Sequence, residues 1–246
     1  MSDAVKDAAR ALSMLDLTSL GEEDCPDIVA ALLQRAETPA GNVAAVCIWP
    51  RFVAQAKSAL ESTGIRVATV ANFPHGRPDV AGAVETTHQC VRDGADEVDV
   101  VWPYEAWLSG NREIARDLVA ACKEECGDRA HLKVILETGR LQTDDAIAGS
   151  ARDAIAAGAD FIKTSTGKTK ISATLEAAHI MLDAIRESGK PVGLKPSGGI
   201  RTSAQAAAFL HLADKVMGPD WATPETFRFG ASSLLDDLLA ALDGER

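Results

Sequence analysis

The chain contains 246 residues, of which 46% are hydrophobic and 25% charged, and this composition is typical of a globular protein and excludes a disordered or collagen-like one. Its formal net charge is −11, and because Lys and Arg form no cluster, the sequence predicts no nucleic-acid partner. No apolar run reaches the roughly 18 residues of a membrane span, and the N-terminus lacks the pattern of a secretory or transit peptide, so we expect no membrane partner.

In chain order, eight short runs rich in β-branched and other apolar residues predict strands. The first four are Asn42–Trp49, Ile65–Phe73, Glu97–Trp102 and His131–Thr138. The other four are Asp160–Thr166, Pro191–Ser197, Asp214–Met217 and Thr226–Ala231. Except for the last pair, which is closer, their starts lie about 20 to 35 residues apart. This spacing leaves room for a helix between most neighbouring strands.

Ala-rich segments with helical periodicity separate these runs. They are Pro78–Asp93, Asn111–Cys126, Thr143–Ala157, Thr174–Ser188 and Thr202–Ala213. Residues of the N-cap type stand at the start of several, namely Asp79, Asn111, Thr143 and Ser203. Apolar strands that alternate with helices predict a parallel sheet whose outer face is covered.

The number of these units favours a closed barrel. Eight strands with intervening helices in about 200 residues fit a (β/α)8 TIM barrel, an α/β fold, better than an open doubly wound sheet, which stays open as the alternative. No linker rich in Gly, Ser or Pro divides the chain, so we expect one domain over residues 1–246. Residues 1–40 are expected to be helical and to pack against the bottom and side of the barrel.

The five cysteines bear on compartment and metal binding. They are Cys25, Cys47, Cys90, Cys122 and Cys126, an odd set without a secretory context, which favours a reduced cytoplasm over a disulfide framework. Cys122 and Cys126 lack the CxxC spacing of a zinc site, and no histidine pair supplies a ligand motif. We therefore expect no metal and no cofactor.

Four charged residues interrupt strands that should be apolar. They are Asp99, Lys133, Lys163 and Lys195, on four consecutive predicted strands. An unpaired charge inside a barrel costs several kcal/mol, so such residues are rarely found there without a role. An ion pair or an outward-pointing lysine would explain any single case, and for Lys133 alone that explanation is as good as a functional one.

The positions of Lys163 and Lys195 suggest a reactive amine. Both stand just before small-residue turns, near the carboxyl ends of neighbouring strands, where barrel enzymes carry their chemistry. Two ammonium groups about 4 Å apart disfavour each other's charge by roughly 4 kcal/mol at an effective dielectric of about 20, or about 3 pK units. One lysine would then be neutral near pH 7, as Schiff-base chemistry on a carbonyl requires. Asp99 could relay a proton beside them, and a simple ion pair with a lysine is compatible with that role.

Three glycine-containing turns that follow predicted strands indicate an anion site. They hold Thr166, Gly167 and Lys168, then Gly198 and Gly199, then Gly230, Ser232 and Ser233. Glycines let backbone N–H groups approach an anion, and serine hydroxyls add donors. Each turn alone is weak evidence, but the three together, near the last strands of a barrel, predict phosphate binding.

Eight segments spread over nearly the whole chain resemble deoxyribose-phosphate aldolase, a family of metal-free, Schiff-base (class I) aldolases on a TIM barrel. They are MLDLTSL (14–20), VCIWPRFV (46–53), VATVANFPHG (67–76), GADEVDVVWPY (94–104), LKVILETG (132–139), GADFIKTSTGK (158–168), LKPSGGIRT (194–202) and RFGASSLL (228–235). The resemblance runs from about residue 10 to about residue 240, and KTSTGK together with KPSGGIRT is specific to the family.

The resemblance implies a role for each matching residue. The family's Schiff-base lysine falls on Lys163, its second, pKa-lowering lysine on Lys195, and its proton-relay aspartate on Asp99. Its additional active-site lysine falls on Lys133, and residues that line the same pocket fall on Asp16 and Cys47. The family's phosphate contacts fall on Gly167, Gly198, Gly199, Ser232 and Ser233.

The implied activity is that of an aldehyde-lyase without a cofactor. It cleaves 2-deoxy-D-ribose 5-phosphate reversibly to D-glyceraldehyde 3-phosphate and acetaldehyde, so the expected partners are these phosphosugar and aldehyde substrates. A homodimer or a monomer is the expected assembly. Several relatives end in a mobile tail with a terminal tyrosine, whereas this chain ends in ALDGER and its only tyrosine is Tyr104. Either the relay runs without a tail or activity is reduced, and we expect the first, with Asp99, Lys195 and a water completing the proton transfer.

Two other interpretations stay open. A related barrel aldolase of the transaldolase type would share the lysine but prefer a ketose donor. A catalytically silent sugar-phosphate-binding protein would need the turns but none of Asp99, Lys163 and Lys195, so the presence of these residues argues against it.

Overall fold

Eight parallel strands form a barrel in the structure, a computed structural model that describes residues 2–244. In chain order they are β1 (Leu15–Thr18), β2 (Ala45–Ile48), β3 (Arg66–Ala71), β4 (Glu97–Val101), β5 (His131–Ile135), β6 (Phe161–Lys163), β7 (Gly193–Lys195) and β8 (Phe229–Ala231). The sheet runs from β8 through β1 to β7 in sequential order, and all neighbours pair in parallel.

Two parallel bridges close the sheet between its ends. Leu194 pairs with Phe227 and Ser197 pairs with Gly230, which joins β7 to β8. The structure is therefore a (β/α)8 TIM barrel, as predicted, and not an open doubly wound sheet. The expectation of one domain over residues 1–246 includes Met1, Glu245 and Arg246, which lie outside the described residues.

Helices cover the outside of the barrel. They are α1 (Asp3–Ser13), α2 (Pro26–Ala36), α3 (Val53–Ala59), α4 (Val80–Arg92), α5 (Tyr104–Leu108), α6 (Arg112–Cys126), α7 (Thr138–Leu141), α8 (Asp144–Ala156), α9 (Leu175–Ser188), α10 (Ser203–Met217) and α11 (Leu234–Asp243). A short antiparallel ladder also joins residues 37–38 to residues 41–42. Within residues 2–244, no helix has the length and apolar character needed to cross a membrane.

Side-chain caps fix the start of several helices. Asp79, Asn111 and Thr143 each accept a hydrogen bond from a backbone N–H in the first turn of α4, α6 and α8, as predicted. The cap of α10 is Thr202 and not Ser203, because Thr202 and Gln205 form a reciprocal capping box that places Ser203 inside the helix.

The N-terminal segment corrects the expectation that residues 1–40 are helical. Helices α1 and α2 occur there, but β1 lies between them and pairs with both β8 and β2 inside the barrel. The strand has only four residues, LDLT, and Asp16 interrupts its apolar character. Such a run is too short and too polar for a pattern of hydrophobic residues to reveal a strand.

The run Asp214–Met217, predicted as a strand, is the last turn of α10. Leu210 and Ala213 are buried one turn earlier, so the apolar stripe of the helix continues into this run. Arg10 of α1 also donates to both carboxylate oxygens of Asp214, at 2.8 Å each, and this pair ties the two helices together. The chain leaves the helix only at Gly218.

Candidate active site

The residues singled out from the sequence occupy two adjoining regions near the carboxyl ends of the strands. A buried charged cluster inside the barrel contains Asp16, Asp99, Lys133, Lys163 and Lys195, with Cys47 beside it. A pocket formed by the turns after the strands is lined by Thr166, Gly167, Lys168, Gly198, Gly199, Gly230, Ser232 and Ser233. The structure thus distributes every predicted site residue between these two regions.

The ends of β6 and β7 bring two lysines to one carboxylate. Lys163 and Lys195 are the last residues of their strands and lie opposite each other in the sheet register. Each donates from Nζ to the same oxygen, Oδ2 of Asp99, at 2.8 Å. The two nitrogens are therefore no further apart than twice this distance. Lys163 is 2% exposed, and the other two residues are fully buried.

The two lysines have unequal electrostatic surroundings. Burial lowers the pKa of Lys163 below its usual value and, together with the nearby ammonium of Lys195, outweighs the attraction of Asp99. Lys195 has a second anionic partner, because Oδ2 of Asp16 lies 2.5 Å from its Nζ. Although burial opposes its charge, Asp16 and Asp99 hold the pKa of Lys195 well above the usual value. Lys163 is consequently the lysine that loses its proton more readily.

Asp99 is a carboxylate surrounded by cations. Besides the two lysines at its Oδ2, it accepts from Nζ of Lys133 at Oδ1, over 3.2 Å. Burial favours the neutral acid, but the three ammonium groups outweigh it and hold the pKa of Asp99 well below the usual value. The carboxylate is therefore ionised at neutral pH and can act as an acceptor for a hydroxyl proton.

Lys133 points into the barrel, so the interpretation of an outward-pointing lysine is wrong. Its side chain is fully buried, donates to Glu97 and Asp99, and lies 4.0 Å from Oδ2 of Asp16. Its Nζ also lies 5.7 Å from the centre of the Phe161 ring. The ion-pair interpretation agrees with these contacts.

Glu97 and Arg228 extend the cluster toward the bottom of the barrel, and the sequence analysis did not single them out. Arg228 is 1% exposed and donates to both Glu97 and Asp16. Although burial disfavours their charges, Lys133 and Arg228 lower the pKa of Glu97, and Asp16 and Glu97 raise the pKa of Arg228. Both had a signal, since Glu97 stands two residues before Asp99 on the same face of β4, and Arg228 interrupts the apolar run TFRFGA.

The wall formed by β2 and β3 is apolar. Cys47 is fully buried there and packs in a cluster with Leu20, Ala68 and Val70. Burial raises the pKa of its thiol, so the group is protonated and uncharged at neutral pH. Cys47 thus contributes a small, neutral surface next to the charged cluster.

The pocket above the cluster has a volume of about 690 Å³ and opens to solvent between the turns that follow β1, β6, β7 and β8. Thr18, Leu20 and Asp24 line it as well, although the sequence analysis did not assign them to the site. Thr18 ends β1, the strand that the sequence pattern missed, and Leu20 and Asp24 follow it. Most residues of this lining are Ser, Thr or Gly, whose hydroxyls and accessible backbone can hydrogen-bond a polar ligand.

Glycines make the backbone accessible on the far side of the pocket. Gly167 and Gly198 have φ of +79° and +82°, in the left-handed region. A Cβ on Gly198 would lie 2.7 Å from Oγ of Ser172 and 3.1 Å from Cα of Gly167, so the two turns touch directly. Helix α11 begins just after Ser233, and its N-terminal N–H groups are therefore close to the same turns. Exposed N–H groups at glycine turns and a helix N-terminus attract anions.

Gly230 joins the pocket to the charged cluster. It lines the pocket, and a Cβ on it would lie 2.5 Å from Oγ of Ser197 and 3.1 Å from Cε of Lys195. The absence of a side chain on Gly230 therefore leaves space beside the lysine stem. On the other side, Nζ of Lys168 donates to the carbonyl of Leu20 over 2.7 Å and links the turn after β6 to the turn after β1.

Comparison with known proteins identifies the family. The model of the DeoC/LacD family aldolases matches residues 10–240. The chain belongs to this aldolase family. The apo crystal structure of a putative deoxyribose-phosphate aldolase from Toxoplasma gondii ME49 is similar, with a TM-score of 0.88 and 27% identity over 99% of each chain. A putative deoxyribose-phosphate aldolase from Coccidioides immitis has a TM-score of 0.82 and 25% identity over 93% of this chain and 85% of its own.

A more distant structure shares the fold. The tetrameric deoxyribose phosphate aldolase from Aeropyrum pernix has a TM-score of 0.77 and 23% identity over 99% of this chain and 98% of its own. The family makes the protein an aldolase, a lyase that breaks or forms a carbon–carbon bond next to a carbonyl group. The charged cluster and the pocket above it are the candidate site of that reaction.

Proposed function

We propose that this aldolase is a class I deoxyribose-phosphate aldolase, which cleaves 2-deoxy-D-ribose 5-phosphate reversibly to D-glyceraldehyde 3-phosphate and acetaldehyde. The observation that carries the proposal is the asymmetric pair of lysines on Asp99. Among residues 2–244, Lys163, whose pKa is lowered by burial, pairs with Asp99 alone of the carboxylates, whereas Lys195 pairs with both Asp16 and Asp99. A neutral amine beside a fixed ammonium is the arrangement that Schiff-base chemistry requires.

Lys163 is the nucleophile of the proposed mechanism. Its amine attacks C1 of the open-chain sugar to give a carbinolamine, which loses water to form a protonated imine. Removal of the proton from the C3 hydroxyl lets the C2–C3 bond break, and its electrons pass to the iminium to give an enamine. Glyceraldehyde 3-phosphate leaves with the carbonyl newly formed at C3. Protonation of the enamine at C2 and hydrolysis by water then release acetaldehyde and restore the amine.

Asp99 and Lys195 are the proposed proton relay. Asp99 is ionised and lies 2.8 Å from Nζ of both Lys163 and Lys195, so a water or a substrate hydroxyl between these groups meets an acceptor and a donor together. Lys195 keeps its proton because Asp16 and Asp99 outweigh the effect of burial. Asp16 and Lys133 serve as electrostatic partners of the relay, and Cys47 as the uncharged wall beside the reacting carbons.

The pocket is the proposed phosphate site. The glycine turns after β6, β7 and β8 supply N–H groups, and Ser232 and Ser233 supply hydroxyls at the N-terminus of α11. Thr166 and Lys168 lie on the same side of the pocket. Binding of a phosphate at a distance from the reacting carbon orients the chain and adds binding energy that the chemical step can use.

Borohydride reduction in the presence of acetaldehyde tests the proposal. We expect an ethyl adduct on Lys163, found by peptide mass mapping, and Lys163→Arg should lose both the adduct and turnover by several orders of magnitude. Lys123→Arg is the matched control, because Lys123 pairs with Asp160 on the outside of the barrel and should retain both. An active enzyme whose Lys163 stays unmodified would contradict the mechanism, and activity on fructose 6-phosphate alone would contradict the substrate.

A further inference from the structure

An ion pair below the reacting groups has no task in the proposed mechanism. Arg228 donates from Nη2 to Oε1 of Glu97 at 2.9 Å and from Nη1 to Oε2 at 3.2 Å. The same Nη1 donates to Oδ1 of Asp16 at 2.8 Å. Glu97 is fully buried and also accepts from Lys133. An apolar pair of similar volume would fill this space without the cost of removing two charges from water.

The packing around this pair fixes its position. Both cations lie near the ring of Phe161, with Nζ of Lys133 at 5.7 Å and Cζ of Arg228 at 5.9 Å from its centre. Gly193 leaves room for the ring, because a Cβ there would lie 2.3 Å from a carbon of Phe161. The guanidinium and the carboxylate of Glu97 therefore have little freedom to rearrange.

The pair belongs to a continuous network of unequal charge. Among the buried side chains, ion-pair contacts of at most 4.0 Å connect four cations and three carboxylates, namely Lys133, Lys163, Lys195 and Arg228 with Asp16, Glu97 and Asp99. Arg66 also pairs with Glu97, but its side chain is one-third exposed, so solvent screens its charge and it is left out of the buried network. With all groups ionised, cations exceed carboxylates by one. The network has no charge excess when one lysine is neutral.

Each element around Lys163 contributes to this balance. The titratable groups are Asp16 on β1, Cys47 on β2, Arg66 on β3, Glu97 and Asp99 on β4, Lys133 on β5, Lys195 on β7 and Arg228 before β8. Arg66 reaches Oε1 of Glu97 at 3.3 Å from the lower end, where its side chain is 33% exposed. Glu137 lies after β5 and is also buried. It accepts hydrogen bonds from Thr166 and Thr169, and among the described residues it forms no ion pair with any of the four cations.

We propose that the Glu97–Arg228 pair is a positioning pair that controls the charge of Lys163 from below. The inference rests on the proposed function, because it takes Lys163 as the nucleophile. Arg228 occupies one oxygen of Asp16, and Glu97 holds the ammonium of Lys133. These contacts determine how closely Lys195 and Lys133 pair with Asp99, and therefore how strongly the Asp99 carboxylate stabilises the charged form of Lys163.

Loss of the guanidinium charge changes this distribution in one direction. Without Arg228, Asp16 and Glu97 each lose one cationic partner, and they attract the buried partners that remain, Lys195 and Lys133, away from Asp99. Asp99 then stabilises Lys163 as an ammonium. In the buried network three lysines remain against three carboxylates, so no cation is in excess. The proton on Lys163 becomes harder to remove.

Loss of the carboxylate charge acts in the opposite direction. With Glu97→Gln, the nearest remaining carboxylate to Lys133 is Asp99 at 3.2 Å, with Asp16 at 4.0 Å, so Lys133 competes more strongly with Lys163 for Asp99. Cations then exceed carboxylates by two, so the network favours a neutral Lys163 more strongly. Damage to packing alone gives no reason for opposite shifts from the two partners of one ion pair.

The test measures the titration of Lys163 directly and through catalysis. Enzyme labelled with ¹³C at lysine Cε is titrated by NMR without substrate, with the Lys163 signal assigned through Lys163→Arg. The acid limb of kcat/KM for 2-deoxy-D-ribose 5-phosphate gives the second value. We expect Arg228→Met to move both values about one pH unit alkaline and Glu97→Gln to move both about one unit acidic. The double variant should return both values to those of the unaltered enzyme.

Two further variants separate charge from structure. Arg228→Lys keeps the charge and should hold the titration of Lys163 within about 0.3 unit even if kcat falls. Arg228→Gln removes the charge but keeps a donor, so it decides the question if Arg228→Met does not fold. Arg10→Met is the matched control, because Arg10 forms an equally close pair with Asp214 between α1 and α10, and its loss should lower stability without moving the titration.

Each result has a definite meaning. Unchanged titration of Lys163 in Arg228→Gln and Glu97→Gln, or shifts in the same direction, would overturn the inference. Failure of the proposed function would look different, since borohydride would then leave Lys163 unmodified in the unaltered enzyme. The NMR titration does not depend on turnover and still tests the ion pair in that event.

Discussion

Oδ2 of Asp99 accepts from Nζ of two lysines at the same distance, yet the two lysines differ in their remaining partners. Lys195 has Asp16 within 2.5 Å, whereas the described contacts of Lys163 include no second carboxylate. Burial therefore acts on Lys163 with less compensation, and its pKa is lowered while that of Lys195 is raised. The proposed distinction between nucleophile and relay rests on one additional carboxylate, which β1 supplies.

Replacement of Lys195 tests this distinction. In Lys195→Leu the ammonium next to Lys163 is lost, and Asp16 and Asp99 have one cation fewer to attract. The pKa of Lys163 should rise, so the acid limb of kcat/KM should move alkaline by about 2 pH units, with a large loss of rate at neutral pH. A pH–rate profile measured from pH 5 to 10 gives the answer, and an unchanged acid limb would remove Lys195 from its assigned role.

The charged residues on the strands were visible in the sequence, but their partners were not. Asp99, Lys163 and Lys195 stand out because each interrupts an apolar run. Glu97 shares a strand face with Asp99 and Arg228 interrupts the run TFRFGA, but neither pattern shows which opposite charge the residue meets. Which carboxylate meets which cation depends on the tilt of the strands around a closed barrel, and this arrangement brings together residues from distant parts of the chain.

The turns after β6 and β7 form a single surface, because glycine lets them touch. Gly198 has a φ of +82°, and the position of its missing Cβ is filled by Ser172 and by the backbone of Gly167. A side chain there would separate the turns and turn backbone N–H groups away from the pocket. The proposed phosphate site therefore depends on the contact between two loops more than on any one side chain.

Gly198→Ala tests this dependence. The new methyl group would clash with Ser172 and strain the left-handed backbone, so KM for 2-deoxy-D-ribose 5-phosphate should rise by about tenfold or more, while the rate with unphosphorylated 2-deoxy-D-ribose should change little. Steady-state kinetics with both sugars separates the two effects. Gly189→Ala is the matched control, since Gly189 also has positive φ but has no atom near its Cβ position and lies at the end of α9. Equal losses with both sugars would contradict a phosphate role.

The sequence predicts the long helices correctly, and its errors fall on two short runs. The five Ala-rich segments predicted as helices correspond to α4, α6, α8, α9 and α10, because each carries a stripe that repeats over several turns. Strand β1 has four residues and a buried charge, and the run Asp214–Met217 reads as β-branched only when it is separated from the helix before it. Both errors arise because tertiary packing decides the structure of a short run.

The barrel as a whole has a polar and an apolar side. Strands β4–β7, β1 and the start of β8 direct charges inward, whereas β2 and β3 contribute Cys47, Ala68 and Val70. A substrate bound across the mouth thus meets acid–base groups on one side and a neutral wall on the other. The monomer or homodimer expected from the sequence stays a prediction, and sedimentation equilibrium of the purified protein measures it.

The buried network should make the stability of the whole molecule strongly dependent on acid. Although burial opposes their charges, the surrounding cations lower the pKa values of Asp16, Glu97 and Asp99 in the folded protein. A folded-state pKa below the unfolded value of about 4 means that the stabilisation is complete above about pH 5 and is lost as the pH falls through both values. If the unfolded chain binds three more protons, the free energy of unfolding falls by about 4 kcal/mol per pH unit at the steepest point.

Urea unfolding between pH 6 and pH 3 measures this slope. Asp16→Asn removes one of the three buried carboxylates and should reduce the slope by about one third, in addition to a loss of about 3 to 5 kcal/mol at neutral pH from the unpaired cations that remain. Asp27→Asn, on the exposed side of α2, is the control and should leave the slope and the stability near those of the unaltered protein. A free energy of unfolding that stays constant down to pH 3 would show that these carboxylates are not held ionised by the fold.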